Sequence, residues 1–323
     1  MKKNKLTDSF IEGLYKHVPH RPELVREISR ILKIEKEPAS RRLSGNVNFS
    51  IDEMGILAKE FDISIDSLLH ANEDHLKTPI ILEFPWSKNS IDSLLDSMLD
   101  NIIMVNKICV KPYELGSVFN SLPIDIYMHF PNLTKFMLFK WGHFFVDPDE
   151  FSNYSSWKVP EKFQEVKKQI EIFNHNSGKR VYIWDVSLIW ALVKEIKYLY
   201  EIDILNPEDL ELIKNDLHSL LTGFETYIKS LNEIRYQNIE AYFYMSNIPI
   251  GVTGLYVMSE LGQLAFSSTY FSRTGFSTDI QSNKSIQQWM FSLRKISTLM
   301  SSSGYKERRV FFKEQHLIVD SFL

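Results

Sequence analysis

Cysteine is nearly absent from these 323 residues; Cys109 is the only one. A single thiol excludes an internal disulfide framework and any zinc site built on several cysteines. It fits a reducing compartment in which Cys109 is a small buried hydrophobe. Glycine is scarce as well, 12 residues spread along the chain, and none forms the loop with a following Lys-Ser/Thr that cradles nucleotide phosphates. The nine histidines include no His-Glu-x-x-His or comparable ligand spacing. His70 and His75 fall in a polar stretch, and His129 and His143 sit among aromatics, where hydrogen-bonded core residues are expected. No catalytic residue, metal site or cofactor is therefore expected. No apolar run approaches the ~20 residues that cross a bilayer. The basic start Met1–Lys5 is followed by Asp8, Glu12 and Lys16 rather than an apolar segment. The expectation is a cytoplasmic chain without membrane association.

What is present is ordinary globular material, 44% hydrophobic and 24% charged, in a chain long enough for two domains. The net charge of −4 does not favour a polyanionic partner, but basic charge is concentrated locally. Residues 1–72 carry 12 Lys and Arg against 11 Asp and Glu. Between positions 21 and 42, Arg21, Arg26, Arg30, Lys33, Lys36, Arg41 and Arg42 face only Glu23, Glu27, Glu35 and Glu37.

The same segment is patterned as short helices. Phe10, Ile11, Leu14, Tyr15 and Val18 make one apolar stripe, from an Asp8 cap to Pro19. Pro22 opens a second helix carrying Leu24, Val25, Ile28, Ile31 and Leu32. After a turn at Lys33-Ile34, a third helix spans about Lys36–Leu43 and closes at Gly45. Ser50 and Glu53 form a capping box, with Phe49 and Met54 at the hydrophobic-staple positions. The buried face of that fourth helix is expected to be Ile51, Met54, Leu57, Ala58 and Phe61. Ser64 caps a fifth helix anchored by Ile65, Leu68 and Leu69.

The run Ile28-Ser-Arg-Ile-Leu-Lys-Ile-Glu-Lys-Glu-Pro-Ala-Ser-Arg-Arg-Leu-Ser-Gly45 resembles the helix-turn-helix of lambda-repressor-like transcriptional regulators. Phe61-Asp-Ile-Ser-Ile-Asp-Ser-Leu-Leu69 is similar to the family's last-helix entry. The likeness covers about 70 residues; the rest resembles only uncharacterised bacterial regulators. It departs at Lys33, where the family often has glycine. A lysine there must be driven into a left-handed conformation at a cost of about 1 kcal/mol. The resemblance implies that the third helix lies in the major groove of double-stranded DNA. Lys36, Glu37, Ser40 and Arg41 would then read bases, and Arg42, Ser44 and Asn46 would hold phosphates.

Residues 73–88 read as a linker and 89–323 as an α+β domain. Helices are expected at about 89–108, 122–145, 160–173, 186–200, 207–231 and 285–300. Three strands are expected at Glu240–Met245, Ile250–Met258 and Gln263–Tyr270, with a hairpin or short helix at the C-terminus. In the long helix, Leu210, Leu217, Phe224 and Leu231 alternate with Ile213, Leu220 and Tyr227 as a heptad. It serves either as a dimer seam or, the favoured reading, as packing against its own domain. The whole is a multi-domain chain: an all-α five-helix repressor-like domain, then helices flanking a small antiparallel sheet. The expected function is sequence-specific transcriptional regulation by a homodimer whose C-terminal domain binds a small-molecule effector, dimerises the chain, or both. The alternatives are a helix-turn-helix that docks a partner protein and a DNA-targeted enzyme.

Overall fold

The computed structural model describes residues 5–61, 63, 65, 68, 81–83, 90–146, 149–231, 240–268, 273–278, 280–301 and 304–323. The chain divides into two compact units, Met1–Pro79 and Ile80–Leu323.

The first unit is helical: α1 (Lys5–His17), α2 (Arg21–Leu32), α3 (Lys36–Leu43) and α4 (Ile51–Glu60). Each helix contributes one stripe to a common core of Phe10, Leu14, Leu24, Ile28, Ala39, Leu43, Met54, Leu57 and Ala58. Phe49 closes it, its ring edge-on to Phe10 at 5.7 Å. The capping box forms as expected. Glu53 N–H donates to Ser50 Oγ at 3.1 Å, and Ser50 N–H donates to Glu53 Oε2 at 2.9 Å. One assignment is corrected: Ile51 is 88% exposed. Helical side chains tilt toward the N-terminus, so at the first helical position Ile51 overhangs the end of the core instead of entering it. Ile63, Ile65 and Leu68 pack against the core; the remainder of the expected fifth helix, including Ser64 and Leu69, lies outside the described residues.

The second unit is α+β. Its helices are α5 (Ile91–Ile108), α6 (Ile124–Tyr127), α7 (Pro131–Phe145), α8 (Phe163–His175), α9 (Leu188–Glu201), α10 (Pro207–Ser230), α11 (Ile280–Lys295) and α12 (Tyr305–Phe322). Its strands are β1 (Ile81–Glu83), β2 (Tyr113–Phe119), β3 (Gly178–Trp184), β4 (Glu240–Ser246), β5 (Thr253–Ser259), β6 (Gly262–Ser268), β7 (Arg273–Ser277) and β8 (Ser297–Leu299). They form one mixed sheet in the order β1-β7-β6-β5-β2-β3-β4-β8. Its centre is parallel, β2 with β3 and β3 with β4, and the remaining pairs are antiparallel. Parallel neighbours need long crossovers, supplied by α6–α8 between β2 and β3 and by α9–α10 between β3 and β4.

This corrects the expectation of a small antiparallel sheet. The β5–β6 hairpin was legible, but β4 pairs in parallel with β3 and not with β5. β2 and β3 carry no clean alternation because helices cover both faces of the sheet, which erases the period-two signal. Gly116 lies within β2 opposite Tyr256 of β5, where a Cβ would fall 2.2 Å from the tyrosine ring. β1 lies within the stretch read as linker and pairs with β7, Ile81 opposite Phe276. Other differences are local. The helix expected over 122–145 breaks into α6 and α7, with Pro131 in the first turn of α7, and the C-terminus is one helix, α12.

On one face of the sheet, α5, α7–α10 and α12 build the main core, with Leu95, Phe139, Val166, Val193, Leu217 and Val319 among its fully buried residues. On the other, α11 sets Met290 against Val118, Ile183 and Tyr256. The heptad of α10 serves this core: Ile213, Leu217, Leu220 and Leu221 are buried, and the helix packs on α7 and α12. Asp216 on α10 accepts the Asn132 and Leu133 N–H groups at 2.7 and 3.0 Å, satisfying donors that the first turn of α7 cannot pair internally.

Candidate nucleic-acid interface

The geometry of the N-terminal unit turns on Lys33. It ends α2 at φ 53°, ψ 42°, in the left-handed region, and its N–H donates to Ser29 O. Ile34 N–H donates to the same carbonyl at 3.2 Å, while Ser29 Oγ donates to Ile34 O at 2.6 Å. These bonds tie up the end of α2 and hold the chain in a three-residue turn, Lys33–Glu35, before α3 begins. The expected strain at Lys33 is thus present, and local hydrogen bonds and the packing of Ile34 against the core offset it.

α3 is one-sided. Ala39 and Leu43, four residues apart, are buried, and the small Ala39 allows close approach to α2, with which α3 packs. Lys36, Glu37 and Arg41 are exposed on the other side, with Ser40 half-buried. Beyond the helix, Gly45 takes φ 71°, a conformation glycine adopts without steric cost, and Ser44 and Asn46 are exposed. Arg21, from the start of α2, donates to Ser44 Oγ at 2.5 Å and Ser40 O at 3.4 Å. Ser44 Oγ in turn donates to Ser40 O at 2.8 Å. Arg21 therefore places a guanidinium beside the last turn of α3. Sequence reasoning missed this because no spacing rule links residues 19 to 23 positions apart.

Arg42 is employed internally. Its Nε donates to Glu53 Oε2 at 2.9 Å, an Nη to Oε1 at 2.8 Å, and the other Nη to Pro38 O at 3.3 Å. Both side chains of the ion pair are 19% exposed. The Arg42 hydrogen bond, with a smaller contribution from Ser50 N–H, holds the Glu53 carboxyl below its ordinary range.

The second unit holds a crevice of about 540 Å³ over β3, lined by Asp125, Arg180, Tyr182, Trp184, Phe224 and Tyr227 among others. A neighbouring cavity of about 460 Å³ shares Phe119, Pro123, Asp125 and Tyr182 with it. The sequence suggested the aromatic region around Phe130–Phe145 as core or pocket wall, and Phe130 lines the first cavity while Met137, Leu138, Lys140 and Trp141 line the second; the other lining residues were not apparent in it. The one available signal was Arg180, which with Lys179 precedes the apolar run Val181–Trp184, since a charge buried in a strand needs a purpose. His143 is a satisfied residue, Nδ1 at 3.0 Å from Phe151 O. His129 is exposed and opens on the crevice, contrary to the core position expected of it. Cys109 is buried, and burial pushes its thiol up to about 12, so it is inert as a nucleophile.

Among the described residues, no group of three or more His, Cys, Asp and Glu could hold a metal ion, and no helix is long and apolar enough to cross a membrane. No family model, no curated protein and no solved structure matches the chain.

Proposed function

We propose that this chain is a sequence-specific regulator of transcription that reads double-stranded DNA with α3, acts as a homodimer, and uses residues 80–323 for regulation. The observation that carries the reading is the α2–turn–α3 unit. A three-residue turn closed by left-handed Lys33 presents a short helix whose outer side is charged and whose inner side is packed. Two helices joined by such a turn are the arrangement that sets a recognition helix into the major groove. Lys36 and Arg41 can donate to guanine O6 and N7, and Glu37 can accept from cytosine N4. Ser44, Asn46 and Arg21 lie where phosphate contacts would fix register. Arg42 supports the site by bracing α3 against α4.

The polar character of α3 favours DNA over a protein partner. Its apolar residues Ala39 and Leu43 are buried, with Pro38 half-buried, so its outward side offers nothing for an apolar groove. The test is selection of bound sequences from a random DNA pool with the full chain. A dimer would enrich two-fold symmetric sites whose halves lie about one helical turn, roughly 34 Å, apart. A pool that shows no enrichment after repeated rounds would overturn the reading.

A further inference from the structure

The C-terminal helix α12 packs on α9 and α10, and where it meets α10 two histidines face each other. His218 Nδ1 lies 2.7 Å from His316 Nδ1. The ring centres are 5.0 Å apart and the ring planes 5° from parallel. With centres that far apart, the nitrogens come this close only if each ring points its Nδ1 straight at the other in a common plane. The contact is therefore an in-line N–H···N hydrogen bond and not a face-to-face stack. Such a bond needs one Nδ1 protonated and the other bare. On its far side, His218 Nε2 donates to Asp320 Oδ1 at 3.2 Å, and Lys214 Nζ reaches the same oxygen at 3.6 Å. Lys214 and His218 stand one turn apart on α10, and His316 and Asp320 one turn apart on α12, so the two helices present matching faces.

The proton count limits what this contact tolerates. In the uncharged pair, with His218 Nε2–H turned to Asp320, His316 Nδ1–H donates to the bare His218 Nδ1. One added proton leaves the bond intact: His218 becomes the imidazolium and its Nδ1–H donates to a His316 that carries its own proton on Nε2. Asp320 balances that charge. A second added proton puts hydrogen on both Nδ1 atoms, so two N–H groups face each other, the bond is gone and two cations adjoin. Partial burial, and then the neighbouring His218, hold His316 below its ordinary 6.5, while Asp320 and Glu225 pull the other way. From the other helices packed here, Lys140 of α7 pairs with Glu195 of α9, and Lys197 of α9 with Glu201.

The helix held by this bond has a weak point beside it. Gln315 is 3% exposed, and its Oε1 has no hydrogen-bond partner; a buried acceptor left unpaired subtracts from the stability of α12 in its seat. Movement of α12 would also be felt at the crevice, because Phe312 meets Phe224 edge-on at 6.3 Å and Phe224 lines that crevice. We propose that the His218–His316 bond is an acid-sensitive clasp: it holds α12 on α10 while the pair carries at most one positive charge, and entry of a second proton releases it and loosens α12. The inference concerns residues 80–323 alone and stands whether or not α3 reads DNA.

The test uses the full chain without DNA, and follows the histidine ring resonances and the hydrogen exchange of α12 from about pH 8 to pH 5. The expected result is that the pair takes up its protons in two separated steps. On the second step, protection of the α12 amides, corrected for intrinsic exchange, should fall by about threefold or more relative to α5. His316→Gln should remove this acid response. Asp320→Asn provides a second variant at an exposed position; without the carboxylate that favours the charged pair, loosening of α12 should move to lower pH. Independent titration of the two histidines, α12 protection that ignores acid, an acid response that survives His316→Gln, or a transition unmoved by Asp320→Asn would each overturn the proposal.

Discussion

Arg42 and Glu53 form a two-point ion pair between α3 and α4, while Glu53 also accepts the Ser50 N–H that opens α4. One carboxylate thus caps one helix and anchors another. Arg42→Ala would leave Glu53 half-buried with half its partners gone, a loss of about 1–3 kcal/mol for a charge-assisted pair. The expected outcome is faster hydrogen exchange throughout α3 and α4 in the full chain. A purely phosphate-binding Arg42 would instead leave exchange unchanged and weaken only DNA binding. The pair also has a pH signature. Because the folded Glu53 carboxyl is held below its ordinary value, its contribution is complete above about pH 4.5 and disappears as pH falls through the folded value. Glu53→Gln should remove that acid sensitivity.

Lys33 bears a left-handed backbone that glycine would adopt without steric cost. Lys33→Gly should slow exchange of the amides at the end of α2 and the start of α3, corresponding to a gain of up to about 1 kcal/mol, with glycine's greater unfolded-state freedom set against it. The side chain is exposed, so nothing packed is lost. A clear acceleration of exchange would mean that the turn is not held as described.

Asp125 makes the opposite acid prediction from Glu53. Its folded value, about 6, lies above the ordinary 3.8. The neutral acid is therefore the form that folding prefers, and the associated stability is complete below about pH 4 and lost as pH rises through 6. At roughly 1.4 kcal/mol per unit, the loss approaches about 3 kcal/mol. Asp125→Asn, uncharged at every pH, should raise the melting temperature at neutral pH and change it little in acid. Parallel melting curves for both proteins across pH 4 to 8 would contradict the buried setting of this carboxyl.

The legible parts of the chain were those specified by neighbouring residues. Ser50 and Glu53 announced their capping box, and Asn206-Pro207 marked the start of α10, where Asn206 accepts the Asp209 N–H at 2.7 Å. Gly262 marked the β5–β6 turn, with Ser259 paired to it across the hairpin. What stayed hidden depends on distant partners. Gly116 weakens the strand signal of β2, yet it is required by Tyr256, 140 positions away. Asp125 and Arg180 border one crevice from a one-turn helix and a central strand, with no motif between them. The pairing of Arg42, read as a phosphate ligand, with Glu53 was not legible, because only folding brings Glu53 to it. Arg41, one residue earlier, remains on the exposed side, and the distinction between the two follows from helical phase.

The role of α3 is tested most directly by the salt dependence of DNA affinity, measured for the full chain on a sequence it selects. Phosphate contacts release condensed counterions, so log affinity should fall linearly with log salt, each contact contributing a slope of about 0.9. Arg41→Ala should lower affinity for the selected sequence by about 1–3 kcal/mol and narrow the gap to unrelated DNA. A steep slope together with lost discrimination in Arg41→Ala is the predicted result; affinity indifferent to salt, or discrimination intact without Arg41, would contradict base reading by α3.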